Sequence, residues 1–262
     1  MTSEVGRHLD QDVYDLVEVR KPADYPVAYA GFLAVTDEKA RIAEALKPLV
    51  LPGTLVDIGA GSGEIIDDLE LDPANYTAIE QRAEFAAILR EKGLDVIEEL
   101  FPVSLPQTFN NVLMSYVLYG RDQCDVMIDP AWDLVSEDGQ LLVVTYRDNN
   151  DDYSKILHRV GHTRRVNTDV RFDFLEERLA ALGTLYIEHV RSHIFSEELQ
   201  GLATALGFLA SNTPVGTVED RLRIRDNIIQ EDDYLREHYL DENGTFAFPI
   251  DHYIFRVVKE GS

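Results

Sequence analysis

The sequence predicts an α/β fold, a mostly parallel sheet with helices on both faces. Three observations predict it. Strand-like and helix-like segments alternate from residue 54 to residue 146. The apolar run Leu55-Val56-Asp57-Ile58 ends in a glycine-rich turn, Gly59-Ala60-Gly61-Ser62-Gly63, that opens a helix at Glu64. The next strand-like run, 75–80, ends in an acid, Glu80. Such a turn lets backbone approach a ligand closely, and the helix start offers unpaired N–H groups to a carboxylate or phosphate. Glu80 is placed to accept hydrogen bonds from a ribose diol.

The elements follow in order. Residues 13–50 read as helices. Thr36 is a good N-cap, Ile42, Ala43 and Leu46 recur at helical spacing, and Pro48 ends that helix. The first strand covers 54–58 and its helix 63–69. After Glu80 a helix runs to Lys92, where Gly93 terminates it, and a third strand covers 94–98. The fourth strand, 111–115, leads into Tyr116-Val117-Leu118-Tyr119. A helix over 122–134 and the turn Glu137-Asp138-Gly139 precede the fifth strand, 140–146. Simple alternation then stops. Helical segments at 152–160 and 172–182 precede a strand at 185–194, two more helical segments cover 196–209 and 217–240, and a last strand covers 251–258.

Composition narrows the class. A chain of 262 residues is long enough for one large α/β domain. It has no run of 18 or more apolar residues, so no membrane span is expected. The first ten residues are polar and lack a signal-peptide pattern, and the single cysteine, Cys124, forms no intrachain disulfide. A cytoplasmic location is the expectation. The formal net charge of −24 argues against a nucleic-acid or anionic-membrane partner, because phosphate binding needs clustered Lys and Arg. It would also attract cationic small molecules. Six Lys against eighteen Arg fit an acidic, salt-tolerant surface, and solubility or salt adaptation accounts for most of the charge. His158 and His162 have the i, i+4 spacing of metal ligands, but no Cys or H-E-x-x-H context accompanies them and Gly161 lies between, so no metal is expected.

A nicotinamide fingerprint, G-x-G-x-x-G, would place its third glycine at position 64, which is Glu64. The G-x-G-x-G spacing resembles instead motif I of class I S-adenosylmethionine-dependent methyltransferases. More narrowly, the chain resembles histamine N-methyltransferase and bacterial small-molecule relatives over nearly its full length. The matching pieces are Tyr29-Ala30-Gly31-Phe32-Leu33 with Thr36-Asp37-Glu38, the glycine loop through Ile65, Glu80 with Ala83-Glu84, Ser115 to Tyr119, and the terminal strand. The resemblance implies a Rossmann-like sheet of seven strands whose antiparallel last strand inserts beside the sixth. Residues 1–262 then form one methyltransferase domain, with a helical cap over 1–50 and a lid-like helical insertion over 196–244.

The resemblance also implies roles. Asp57 would orient the loop, Gly59, Gly61 and Gly63 would hold S-adenosylmethionine, and Glu80 would hold its ribose. Ser115 would sit beside the methionine moiety and Glu99 near the adenine, with Glu98 its nearest competitor. Tyr116 and Tyr119 would meet the acceptor as catalytic residues, and Glu38, Tyr153 and Asp251 would bind it. Plainer readings stay open. Glu38 lies in the first turn of a helix, where the dipole favours any acid. The tyrosines could be core aromatics, although the carboxyl end of a strand is where ligands bind in open α/β sheets. Asp251 is either exposed or site-facing. If Glu38 and Asp251 both face the pocket, a small cationic amine is the expected acceptor, anchored by a remote ammonium while a neutral nitrogen attacks. Methyl transfer to oxygen or carbon of a natural product, and a non-catalytic cofactor-binding partner, are the alternatives. Oligomeric state is not readable.

Overall fold

The computed structural model describes residue 13 and residues 24–146, 151–161, 172–211 and 217–259. His162 lies outside the described residues, as do most of the residues before 24. In chain order the elements are α1 (Tyr25–Leu33), α2 (Glu38–Leu46), β1 (Leu55–Ile58), α3 (Glu64–Leu69), β2 (Tyr76–Ile79), α4 (Ala83–Glu91), β3 (Asp95–Ile97), β4 (Phe109–Ser115), α5 (Arg121–Asp133) and β5 (Val135–Tyr146). Then come α6 (Asp152–Arg159), α7 (Phe172–Ala180), β6 (Thr184–Ser196), α8 (Leu199–Ser211), α9 (Val218–Ile229), α10 (Asp232–Tyr239) and β7 (Phe246–Val258).

The seven strands form one sheet in the order β3-β2-β1-β4-β5-β7-β6. The first five are parallel, and β7 runs antiparallel to both β5 and β6. Alternation along each central strand feeds two different cores. Val112 and Met114 of β4, Leu141 and Val143 of β5, and Phe255 and Val257 of β7 pack with Cys124, Met127 and Ile128 of α5 and Leu175 and Leu179 of α7. Their neighbours Leu113, Leu142, Val144 and Ile254 pack on the other face with Ile42 and Leu46 of α2, Ile65 and Ile66 of α3, and Leu89 of α4. A third core joins Phe32 of α1, Leu202 and Leu206 of α8, Ile224 and Ile228 of α9 and Leu235 of α10 to Phe246, Phe248 and Ile250, the first half of β7.

Three elements differ from their sequence reading. The last strand begins at Phe246, ahead of position 251. Its extra residues include Pro249, which a two-sided strand would reject. Among the described residues, pairing to β5 reaches the Tyr146–His252 pair, and Pro249 pairs with His193 of β6. The helical segment 217–240 divides into α9 and α10, with three consecutive acids, Glu231-Asp232-Asp233, at the start of the second helix, where the dipole favours them. The turn Glu137-Asp138-Gly139 lies inside β5 as an irregularity, between the Phe109–Val135 and Asn111–Gln140 pairs.

Thr36 fixes the start of α2. Its hydroxyl accepts from the Glu38 N–H at 3.1 Å and donates to the His193 carbonyl at 3.0 Å, which ties the helix to β6. Replacing Thr36 by Ala should cost roughly 1–2 kcal/mol in urea unfolding, whereas Thr36→Ser should recover most of it.

Candidate functional site

The order of the sheet turns over between β1 and β4, and the loops that leave their carboxyl ends diverge to form a crevice. A cavity of about 160 Å³ opens there, an order of magnitude above what one water needs, so it suits an organic ligand.

The glycine loop makes one wall. Gly59, Gly61 and Gly63 have φ of 74°, 58° and 79°, all in the left-handed region that side chains avoid. A Cβ on Gly59 would collide with Val117, and one on Gly63 would come within 2.7 Å of Leu89 Cδ2. The Gly59 N–H donates to the Ile79 carbonyl at 2.8 Å, pinning the loop to the end of β2. Glu80 completes that pin: its carboxylate accepts from the backbone N–H of Gly61 at 2.9 Å and of Arg82 at 2.8 Å. Burial raises the Glu80 pKa, and those two N–H groups work against the rise. Gly59, Gly61, Glu80, Glu99 and Ser115 all line the cavity. Ser115 Oγ is buried with no hydrogen-bond partner among the described residues, an orphaned polar atom on the wall of an organic-sized cavity. Glu98 turns away and pairs with Arg90 at 2.6 Å, which separates it from Glu99. Asp57 and Gly63 sit behind the loop, outside the lining. Asp57 accepts from the Tyr76 hydroxyl at 2.6 Å, and burial pushes its carboxyl up to about 7 against that hydrogen bond.

The other wall is aromatic. Tyr25, Tyr29 and Phe32 of α1 and Phe208 of α8 face Phe85, and Tyr25 and Tyr29 stack at 5.8 Å between centroids. Arg221 of α9 pairs with Asp24 just ahead of α1, joining the two helical segments. Tyr116 and Tyr119 follow β4 and line the cavity. Tyr116 has φ of +56°, a strained value for a non-glycine residue.

Around Tyr116 lies a polar network that the sequence did not reveal. Its hydroxyl meets His252 Nδ1 at 2.7 Å, and His252 Nε2 meets Ser192 Oγ at 2.6 Å. Glu38 is buried in the same wall, and both of its oxygens are engaged. Oε2 accepts from the Tyr146 hydroxyl at 2.8 Å, and Oε1 pairs with Lys39 Nζ at 2.8 Å. Burial alone would raise the Glu38 pKa; Lys39, His252 and the two hydrogen bonds outweigh it and hold the carboxyl below its ordinary value. Burial drives His252 down to about 4, against the nearby carboxylate of Glu38, so the imidazole is neutral at pH 7. Burial, then Glu38, raises the Tyr116 phenol well above its ordinary value.

Two expected acceptor residues are placed elsewhere. Asp251 lies outside the cavity lining, bonded by Arg191 at 2.8 Å and His189 at 2.7 Å, and these partners hold its carboxyl low despite burial. Side chains alternate along β7, so the residue directed toward Tyr116 is His252. Tyr153 is buried in the third core and is not among the residues that line the cavity; Tyr146, the last residue of β5, lines it instead. His158 belongs to no group of potential metal ligands among the described residues.

No protein-family model matches the chain, and no curated protein matches it. Solved structures do. A possible histamine N-methyltransferase from Thermotoga maritima, described as S-adenosylmethionine-dependent, superposes with a TM-score of 0.55 at 14% identity, over 95% of this chain and all of that one (100%). The YcgJ protein from Bacillus subtilis gives 0.54 at 13% identity, over 84% and 98%. The plantazolicin methyltransferase BpumL, in complex with SAH, gives 0.51 at 10% identity, over 95% and 94%. The chain has the Rossmann-like fold of class I methyltransferases.

Neutral, buried His252 stabilises the fold above its ordinary pKa of 6.5, and that stability is lost as the pH falls through 6.5 toward about 4. In that window the unfolded chain binds the proton and the folded chain does not. The loss approaches roughly 3 kcal/mol at the acid end. Asp57 acts in the opposite sense, its stabilising protonated form being lost as the pH rises through about 7. Denaturation midpoints of His252→Gln should therefore fall less steeply than wild type between pH 6.5 and 4.

Proposed function

We propose that the protein is an S-adenosylmethionine-dependent methyltransferase of a small molecule, with an amine nitrogen as the first reading of the acceptor atom. One observation carries this: the pinned glycine loop, Glu80 and the orphaned Ser115 hydroxyl share one cavity at the carboxyl edge of a methyltransferase-type sheet. The residues fit the cofactor. Gly59 and Gly61 keep the loop free of side chains, Glu80 has lone pairs left for ribose hydroxyls, Ser115 would meet the methionine part, and Glu99 is the residue for the adenine. Asp57 supports the loop from behind. When bound, S-adenosylmethionine supplies an electrophilic methyl group that an in-line nucleophile displaces, leaving a neutral thioether. The chain then has to align the acceptor, exclude water and take a proton.

Water exclusion falls to the aromatic wall from α1 and α8, so residues 196–244 act as a lid and the helices before residue 50 as a cap. Proton acceptance falls to the Tyr116–His252 pair: Tyr116 would take the acceptor's proton as its own passes to His252 Nδ1, and the nearby Glu38 carboxylate favours the imidazolium so formed. The phenol is a stronger acid than the serine hydroxyl, so Tyr116 donates to His252 Nδ1 and Nε2–H donates to Ser192. Tyr116 oxygen lone pairs then remain for an N–H or O–H of the acceptor. A second reading, methylation of an oxygen, is favoured by this same chain of hydrogen bonds, because a hydroxyl must give up its proton to become a good nucleophile. Catalytic contact is assigned to Tyr116 and Tyr119, and the acidic character of the acceptor pocket reduces to Glu38, already paired. The acceptor is a small molecule reached through a partly covered cavity, and no described helix is long and apolar enough to cross a membrane.

Titration with S-adenosylhomocysteine tests the reading. Wild type should bind it, Gly59→Ala should bind at least about tenfold more weakly because the added methyl meets Val117, and Glu80→Ala should lose about tenfold or more. No binding by wild type would end the proposal. On an acceptor, Tyr116→Phe should lower kcat roughly 10²-fold or more when oxygen is methylated, and should mainly raise KM when a neutral amine is.

A further inference from the structure

We infer that the acceptor site is built for a molecule that brings an anionic group, typically a carboxylate, to Lys39, and that the position for a cation is already filled by the protein. The inference rests on the methyltransferase reading and reverses the charge expected of its acceptor. A carboxylate beside an aromatic face is the arrangement that captures a ligand ammonium. Here that box consists of Glu38 and the ring of Tyr116, and Lys39 occupies it: its Nζ lies 2.8 Å from Glu38 Oε1 and 4.4 Å from the Tyr116 centroid.

Access separates the two charges. The Glu38 side chain is 1% exposed, and its other oxygen is held by Tyr146. The Lys39 side chain is 14% exposed and lines the cavity. An ammonium has three donors, so one bond to Glu38 leaves capacity for an incoming acceptor oxygen. A cationic ligand would have to displace Lys39 from Glu38 and strand an ammonium in a half-buried site. A carboxylate ligand instead completes a row of carboxylate, ammonium and carboxylate. Of the other charges on the cavity wall, Glu80 accepts from two backbone N–H groups and, with Glu99, belongs to the cofactor part of the proposed site, while Arg82 is engaged by Glu84 and lies over the faces of Tyr25 and Phe85.

Matched pairs of probes test this on the whole protein, with and without S-adenosylhomocysteine: imidazole-4-acetate against histamine, and 4-hydroxyphenylacetate against tyramine, by calorimetry or ligand-observed NMR. In each pair wild type should bind the acid about tenfold tighter than the amine. Lys39→Arg should keep that order. Lys39→Met should reverse it, because Glu38 and the Tyr116 face become free for the amine. Should Lys39→Met fold poorly through its unpaired Glu38, the double variant Glu38→Gln/Lys39→Met removes both charges and should bind each pair nearly equally. Tighter amine binding by wild type, binding of neither member, or a ratio indifferent to Lys39 would overturn the inference. So would a tenfold loss of S-adenosylhomocysteine affinity in Lys39→Met, since Lys39 would then serve the cofactor. Failure of wild type to bind S-adenosylhomocysteine would sink the methyltransferase reading separately, because the probe ratios are also read on cofactor-free protein.

Discussion

The buried carboxylate of Glu38 is the interaction on which the polar wall of the cavity depends. Removing a carboxylate from water costs several kcal/mol unless both oxygens are matched by donors. Here the donors come from two distant stretches of chain, Lys39 beside it on α2 and Tyr146 at the end of β5. Satisfying one charge thus fixes the cap helix against the carboxyl edge of the sheet. It also sets the position of the Lys39 ammonium over Tyr116 and of the Tyr146 ring 4.6 Å from the Tyr116 ring. Such a network is strong only while complete, because each partner lost leaves another buried group unpaired.

Tyr116 is where this network meets the wall formed by the glycine loop and Ser115. It follows directly on Ser115, and its left-handed backbone turns the chain out of β4 toward Val117, the residue packed against Gly59. A strained φ persists only where the surroundings over-determine it. Those surroundings are the Lys39 ammonium over the ring, the Tyr146 ring beside it and the His252 bond at the hydroxyl. His252 is in turn held by Ser192 across the β6–β7 pair. The outer antiparallel strands therefore have a local task besides covering the sheet: they back a tyrosine of the cavity wall.

The division between what was legible in the sequence and what was not follows the range of the interactions. The glycine loop, Glu80 and Ser115 are legible because each is dictated within a few residues, by a positive φ, a strand end or a helix start. The sheet order is legible from alternation. Asp251 and His252 show where that stops. They are neighbours on one strand, and only the phase of β7 against β6 decides which faces the site; a run of strand-like residues does not reveal its own phase. Tyr153 is a similar case: it lies in the first turn of α6 and packs into the third core, while Tyr146 at the end of β5 lines the cavity. Lys39 sits in plain view beside Glu38, but its partnership with a face of Tyr116 requires the cap helix to be docked.

Overall charge and local charge point in different directions here, and distance decides between them. Beyond a Debye length of roughly 8 Å, salt screens the acids behind the net charge of −24 from a ligand. Their effect falls on the rate of encounter. Inside the cavity the proposed ligand would meet the Lys39 ammonium at contact distance, where a unit-charge interaction at 4 Å is of the order of 4 kcal/mol at an effective dielectric of about 20. An acidic protein can accordingly hold an acidic molecule. It would admit it more slowly than a neutral protein would and retain it through one half-buried lysine, so the affinity resides in dissociation, and added salt would speed entry more than it weakens the bound state.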